Sequence, residues 1–98
     1  MARIGRRMHP GKILREEYMA PAGLDAGGLA QALGVEVTCI APLMIEQGRI
    51  SSDLALRLAR YFRTTPQFWL GLQTAYDLAV ATAQFGAEIE ARVQPIAA

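Results

Sequence analysis

Apolar positions along the chain recur at helical spacing from residue 9 to residue 93, and no useful length alternates with period two. His9-Pro10-Gly11 opens the first predicted helix, with Pro10 suited to an early helical position. This helix runs to about Ala20 and buries Ile13, Leu14 and Tyr18; Pro21 and Gly23 break it. Asp25 caps a short second helix carrying Leu29, Ala30 and Leu33, which Gly34 ends. A third is expected over about Val37 to Gln47, with Ile40, Leu43 and Met44 inward and Val37, Thr38 and Ala41 outward. Ser51 or Ser52 caps a fourth, whose stripe is Leu54, Ala55, Leu58, Ala59 and Phe62. Thr65-Pro66 starts a fifth that keeps its period for several turns. Gly86 is expected to interrupt it, with a short amphipathic continuation from Ala87 to Val93 before Pro95.

Ala30, Gly34 and Ile40 have the spacing of a helix-turn-helix: a small crossing residue, a turn glycine and an aliphatic anchor. The third helix therefore stands where a DNA reader would stand. Its sequence, VTCIAPLMIEQ, offers Thr38 and Gln47 but no basic side chain, and Pro42 lies inside it. An interior proline kinks a helix, whereas a proline in the first turn is tolerated, so Pro42 marks either a kink or a late start.

Charge sharpens this picture. The net charge of +1 divides into blocks. Arg3, Arg6, Arg7, Lys12 and Arg15 give the first 15 residues +5, and Glu16, Glu17, Asp25, Glu36 and Glu46 give residues 16 to 48 −5. Arg49, Arg57, Arg60 and Arg63 against Asp53 make residues 49 to 63 +3, and Arg92 against Asp77, Glu88 and Glu90 makes the remainder −2. Duplex binders gather positive charge around the reading element; here it flanks that element. Residues 1–8 are accordingly read as a basic N-terminal arm and residues 9–95 as one domain.

Composition narrows the classes further. A hydrophobic content of 52 % excludes a disordered chain. No apolar run reaches the ~20 residues of a membrane helix, and no signal-peptide core follows the basic start, so a cytoplasmic protein is expected. Cys39 is the lone cysteine, with no basic neighbour to activate it, and is read as a packing residue. His9 has no neighbouring nucleophile and is read as a cap. No metal cluster, cofactor motif or catalytic pair is present, so no enzyme is expected.

Four stretches, HPGKILREEYMAPAGL, LAQALGV, DLALRLARYFRTTPQFWLGLQTAYDL and GAEIEARVQP, together resemble the HigA-type (VapI-like) antitoxins of the helix-turn-helix XRE superfamily. The likeness covers about residues 9 to 95. It implies an all-α, five-helix, lambda-repressor-like domain with a C-terminal helical extension, usually a homodimer. It further implies a HigB-like ribonuclease toxin as partner and operator DNA bound to repress the chain's own operon.

Three departures from the family stand out. Gly27 and Gly28 replace residues that often touch phosphates at the start of the family's second helix. The family's third helix commonly begins with polar or basic residues and ends in a basic turn; here those positions are Val37, Thr38, Cys39, Ala41 and Pro42, and the turn is Ile45-Glu46-Gln47-Gly48. Candidate DNA contacts are Arg6, Arg7, Val37, Thr38, Ala41, Gln47 and Arg49. Phe68, Trp69 and Tyr76 are most simply core residues; with Leu72 they are also the candidate dimer contacts, aromatics being enriched at interfaces. Arg57, Arg60 and Arg63 form either a solubilising face or the acid-binding side of a toxin contact. Two alternatives remain: an antitoxin-like protein-interaction module without sequence-specific reading, and a solitary helix-turn-helix regulator.

Overall fold

The computed structural model describes residues 8–97, and every regular element among them is helical. The arm arginines Arg3, Arg6 and Arg7 lie outside the described residues. Helix α1 is continuous through Pro10–Ile13, Leu14–Met19 and Ala20–Ala22; α2 is Ala26–Leu33. Helix α3 joins a 3₁₀ turn, Val37–Cys39, to one α-helical turn, Ala41–Met44. Helix α4 is Ser52–Phe62 and α5 is Pro66–Arg92.

Helix α1 runs through Pro21 and ends at Gly23 in the left-handed conformation, φ 68°. Its middle widens, so that the Ala20 N–H bonds to the Arg15 carbonyl five residues back. An α-helix would drive the Pro21 ring against the Glu17 carbonyl, and the wider turn relieves that clash. Side-chain caps start four helices: His9, Asp25, Ser51 and Thr65 accept from the backbone N–H of Gly11, Gly28, Leu54 and Phe68. Such a cap contributes about 1 kcal/mol.

The core gathers Leu14 and Met19 of α1, Leu29 and Leu33 of α2, and Ile40 and Leu43 of α3. Leu54, Ala55 and Leu58 of α4 and Trp69 of α5 complete it. The Trp69 indole N–H finds the Thr64 hydroxyl at 2.7 Å, so the largest core side chain leaves no polar atom unpaired. Tyr18 packs edge-on against Phe62 and tilted against Trp69, joining α1 to both C-terminal helices.

Besides the expected break at Pro21, two expectations are corrected. Gly86 does not interrupt α5, which is one unbroken helix of 27 residues; a single glycine costs only about 1 kcal/mol. At 1.5 Å per residue it is about 40 Å long, the dominant dimension of a molecule 52 Å in extent. The third helix is also shorter than expected, ending at Met44 and not at Gln47.

Candidate nucleic-acid interface

Pro42 marks a late start. It lies in the first turn of the α-helical part of α3, where the missing N–H would have had no partner. The preceding Val37–Cys39 turn uses tighter bonds, Cys39 N–H to Glu36 O and Ile40 N–H to Val37 O, each 2.9 Å. The far end closes by a Schellman pair: Gln47 N–H to Pro42 O at 2.9 Å and Glu46 N–H to Leu43 O at 3.1 Å. Glu46 occupies the left-handed position usually given to glycine, φ 57°.

Three side chains from other helices fix this short segment. His9, buried at the start of α1, accepts from Gly11 N–H through Nδ1, and its Nε2 meets the Gly48 carbonyl at 3.2 Å. With Nδ1 accepting, the neutral ring carries its proton on Nε2, and one histidine caps α1 while holding the loop after α3. Arg15 donates to the Met44 carbonyl at 2.6 Å and lies 3.0 Å from Glu16 and 3.5 Å from Glu46. A cation here complements the negative end of α3. Gly11 lets the two helices touch: a Cβ there would strike the Leu43 carbonyl oxygen and sit 2.8 Å from its carbon.

The outward face is thereby set. Val37, Thr38, Cys39 and Ala41 are exposed, as are Ile45 and Gln47, while Ile40 and Leu43 are buried. Hydrogen-bonding side chains on this face are few: Thr38 towards its start, Glu36 before it, and Gln47 beyond its end. Its acidity is lower than the linear charge count suggests, because Arg15 folds onto Glu16 and Glu46.

Arg49 extends from the loop after α3 and is 66 % exposed, but its guanidinium is bidentate on Asp77 of α5, at 3.0 and 2.7 Å. Gln73, buried, links the same carboxylate to the loop, donating to Asp77 at 3.0 Å and accepting from Ile50 N–H at 2.8 Å. The bonds from Arg49 hold the Asp77 carboxyl below the ordinary carboxylate range; partial burial opposes them and the Gln73 amide assists. Sequence reasoning proposed Arg49 but missed Asp77, 28 residues away, because no local pattern announces such a pair.

A shallow groove of about 760 Å³ lies between the end of α2 and α4. Arg57, Arg60 and Arg63 line it around the exposed Leu56 and Tyr61. Arg57 is committed to Asp53 at 2.7 Å and to the Leu33 carbonyl at 2.8 Å, where it caps α2.

The candidate dimer residues divide. Trp69 is fully buried within the protomer and offers no surface, which removes it from that set. Its indole completes the core between α1 and α4, a role that periodicity alone does not separate from an interface role. Phe68, Leu72 and Tyr76 are half-buried, with Tyr76 edge-on to the His9 ring. The exposed apolar residues of α5 lie further on, at Leu78, Phe85 and Ile89.

A tight turn at Gly34, a short anchored α3 with an exposed face, and a long C-terminal helix define a helix-turn-helix domain of the antitoxin and repressor class. No family model matches the chain. Virulence-associated protein I of Dichelobacter nodosus is 54 % identical over 74 residues, covering 76 % of this chain and 68 % of the relative. The structure of antitoxin GraA superposes with a TM-score of 0.89 at 48 % identity, covering 94 % of this chain and 99 % of that one. Pseudomonas aeruginosa antitoxin HigA, solved with the higBA promoter, also gives 0.89, at 42 % identity, covering 93 % and 99 %. The chain belongs to the HigA family of antitoxins, with the VapI-type proteins among its relatives.

Proposed function

We propose that the chain is the antitoxin of a type II toxin-antitoxin pair, which binds its own promoter and sequesters a HigB-like ribonuclease toxin. The observation that carries this reading is the likeness, over nearly the whole chain, to a HigA solved on promoter DNA. It is a binding protein and not an enzyme, a homodimer, and it works in the cytoplasm, where the operator lies. No helix of the described residues is long and apolar enough to cross a membrane.

In this reading α3 enters the groove with Val37, Thr38 and Ala41 foremost, and Gln47 and Arg49 follow. Valine, alanine and the threonine methyl suit thymine methyl groups, while the Thr38 hydroxyl can make one hydrogen bond to a base edge. Arg6 and Arg7 of the arm, residues 1–8, reach the phosphate backbone beside the domain of residues 9–95. The groove of Arg57, Arg60 and Arg63 is the acid-binding side of the toxin contact.

A second reading is favoured by the face itself. Val37, Cys39, Ala41, Pro42 and Ile45 supply no side-chain hydrogen bond of useful strength to a base, so the scaffold of a reader is kept while most of the reading is lost. Titration of the protein's own promoter against a scrambled duplex at physiological salt decides between the two. Specific binders discriminate by ~10³ or more; that result supports the operator reading, and equal affinities overturn it. Co-purification with the product of the neighbouring gene tests the toxin, and a chain recovered alone would leave a solitary DNA-binding regulator.

A further inference from the structure

The loop between α3 and α4 is fastened on both sides of Arg49. His9 donates through Nε2 to the Gly48 carbonyl at 3.2 Å, and the buried Gln73 accepts from Ile50 N–H at 2.8 Å. The backbone therefore holds its course without help from the Arg49 side chain. Yet that side chain is bidentate on Asp77, at 3.0 and 2.7 Å, and Gln73 Nε2 donates to the same carboxylate at 3.0 Å and steadies it. Arg49 is 66 % exposed and Asp77 38 %. An ion pair so open to water contributes little to stability. What the pair does fix is the position of one positive charge.

That position matters for the face beside it. A depression of about 230 Å³ lies between α3 and the start of α4, where Thr38 and Cys39 of the outward face meet Ser51 and Asp53. Arg49 is the one basic residue that lines it. Asp53 is already paired with Arg57 at 2.7 Å. The cation available to this edge of α3 is thus Arg49, and its guanidinium is turned to α5.

We propose that Asp77 reins in phosphate binding: it holds Arg49 against α5 in the free protein and yields it to a backbone phosphate when a duplex meets α3. This role rests on the operator reading and adds the residue that limits the strength of backbone contact. The exchange disturbs the fold little, because His9 and Gln73 keep the loop in place. A guanidinium makes the same two-pronged contact with phosphate as with carboxylate, so the new partner suits the same group. Asp77 lowers affinity in two ways, by competing for Arg49 and by leaving a negative charge near the backbone. Only the first depends on Arg49, which separates the rein from ordinary charge repulsion.

The test is a cycle of full-length proteins: the parent, Asp77→Asn, Arg49→Ala and the double variant. Asp77→Asn keeps the shape of the side chain and an oxygen able to accept from Gln73. Each protein is titrated with a duplex of its own promoter over a series of salt concentrations. Asp77→Asn should tighten binding about two- to fivefold at low salt, the span expected from the strength of exposed ion pairs. It should also steepen the plot of log affinity against log salt by up to about 0.9, the slope of one phosphate. On the Arg49→Ala background the same substitution should tighten binding less. Equal gains on both backgrounds reduce Asp77 to a general repulsive charge and overturn the proposal. Weaker binding by Asp77→Asn also overturns it, since Asp77 would then be positioning Arg49 for the duplex. The parent alone gives a second readout. In isotope-labelled protein the Arg49 Nε–H resonance should move when duplex is added; a resonance that stays in place leaves Arg49 on Asp77 in the complex and refutes the exchange. A parent that binds no duplex at all overturns the operator reading itself, and the role of Asp77 falls with it.

Discussion

Replacing Gly11 by alanine tests whether α3 is held by direct contact with α1. Inside a helix, glycine to alanine is ordinarily stabilising by about 0.5–1 kcal/mol, since alanine loses less backbone entropy. At Gly11 the added Cβ would collide with the Leu43 carbonyl oxygen, 2.8 Å from its carbon and 3.0 Å from its Cα. These are backbone atoms, so no side chain can swing away, and the two helices must part. Overpacking of this kind costs about 1–3 kcal/mol, sometimes more. Separation also stretches the His9 bond to Gly48 and the Arg15 bond to Met44, each worth about 1 kcal/mol or more. The clash and the strained bonds outweigh the propensity gain, leaving a net loss of about 2–4 kcal/mol. Gly27→Ala is the control: its Cβ would meet only Asp25 Oδ1 at 3.7 Å, an ordinary contact, so it should stabilise by up to about 1 kcal/mol. Urea unfolding at one fixed protein concentration, which a dimer requires, reads both. A Gly11→Ala protein as stable as the parent, or one shifted in the same direction as Gly27→Ala, would show that the contact does not fasten α3.

The other expectations can be checked together. Thr38→Ala should leave the unfolding midpoint unchanged and weaken promoter binding by no more than about 1–3 kcal/mol, the range for one good base contact; a larger loss in a titration would mean that Thr38 does more. Ile40→Ala empties a fully buried site and should cost about 2–5 kcal/mol of stability, read by the same urea assay. Replacing Arg6 and Arg7 with alanine should shallow the plot of log affinity against log salt by about one to two units, and an unchanged slope removes the arm from the interface. Asp77 has its carboxyl pKa lowered by Arg49; its stabilising contribution is therefore full above about pH 4, the unfolded value, and is lost as pH falls through the lower folded value. Asp77→Asn should flatten that part of the acid-unfolding profile, and an unaltered profile would show that the pair does not contribute to stability.

Much of the fold was legible because its signals are local. Asp25 and Thr65 cap the helices they were expected to cap, Ser51 is the one of the two candidate serines that caps α4, and Gly34 turns as the helix-turn-helix spacing requires, at φ 70°. The buried stripe of α4 followed from period alone. The misread features depend on partners distant in sequence or on context. Pro21 suggested a break, but a widened turn absorbed it. Trp69 was read most simply as core and also offered for an interface, and only the arrangement of α1 and α4 around it decides for the core. Of the candidate site, the outward placement of Val37, Thr38 and Ala41 could be read from the sequence. The commitments of Arg15, Arg49 and Arg57 could not, because each guanidinium reaches a group on another element.

Those commitments bear on where any affinity for DNA comes from. A guanidinium already bidentate on a carboxylate approaches phosphate with its charge offset, so Arg49 contributes less to counterion release than a free arginine would. Arg15 and Arg57 are drawn to backbone carbonyls at the ends of α3 and α2, where they stabilise geometry and leave the outward face of α3 without positive charge. The segment thus combines firm positioning, with His9 and Arg15 holding it at its C-terminal end, with an outward surface of small and apolar side chains. Such a surface reads bases mainly by fitting thymine methyls, a shallow discrimination beside bidentate hydrogen bonds. Specificity on an operator would then have to come from two such helices placed at a fixed separation by the dimer, and from the shape of the duplex between them.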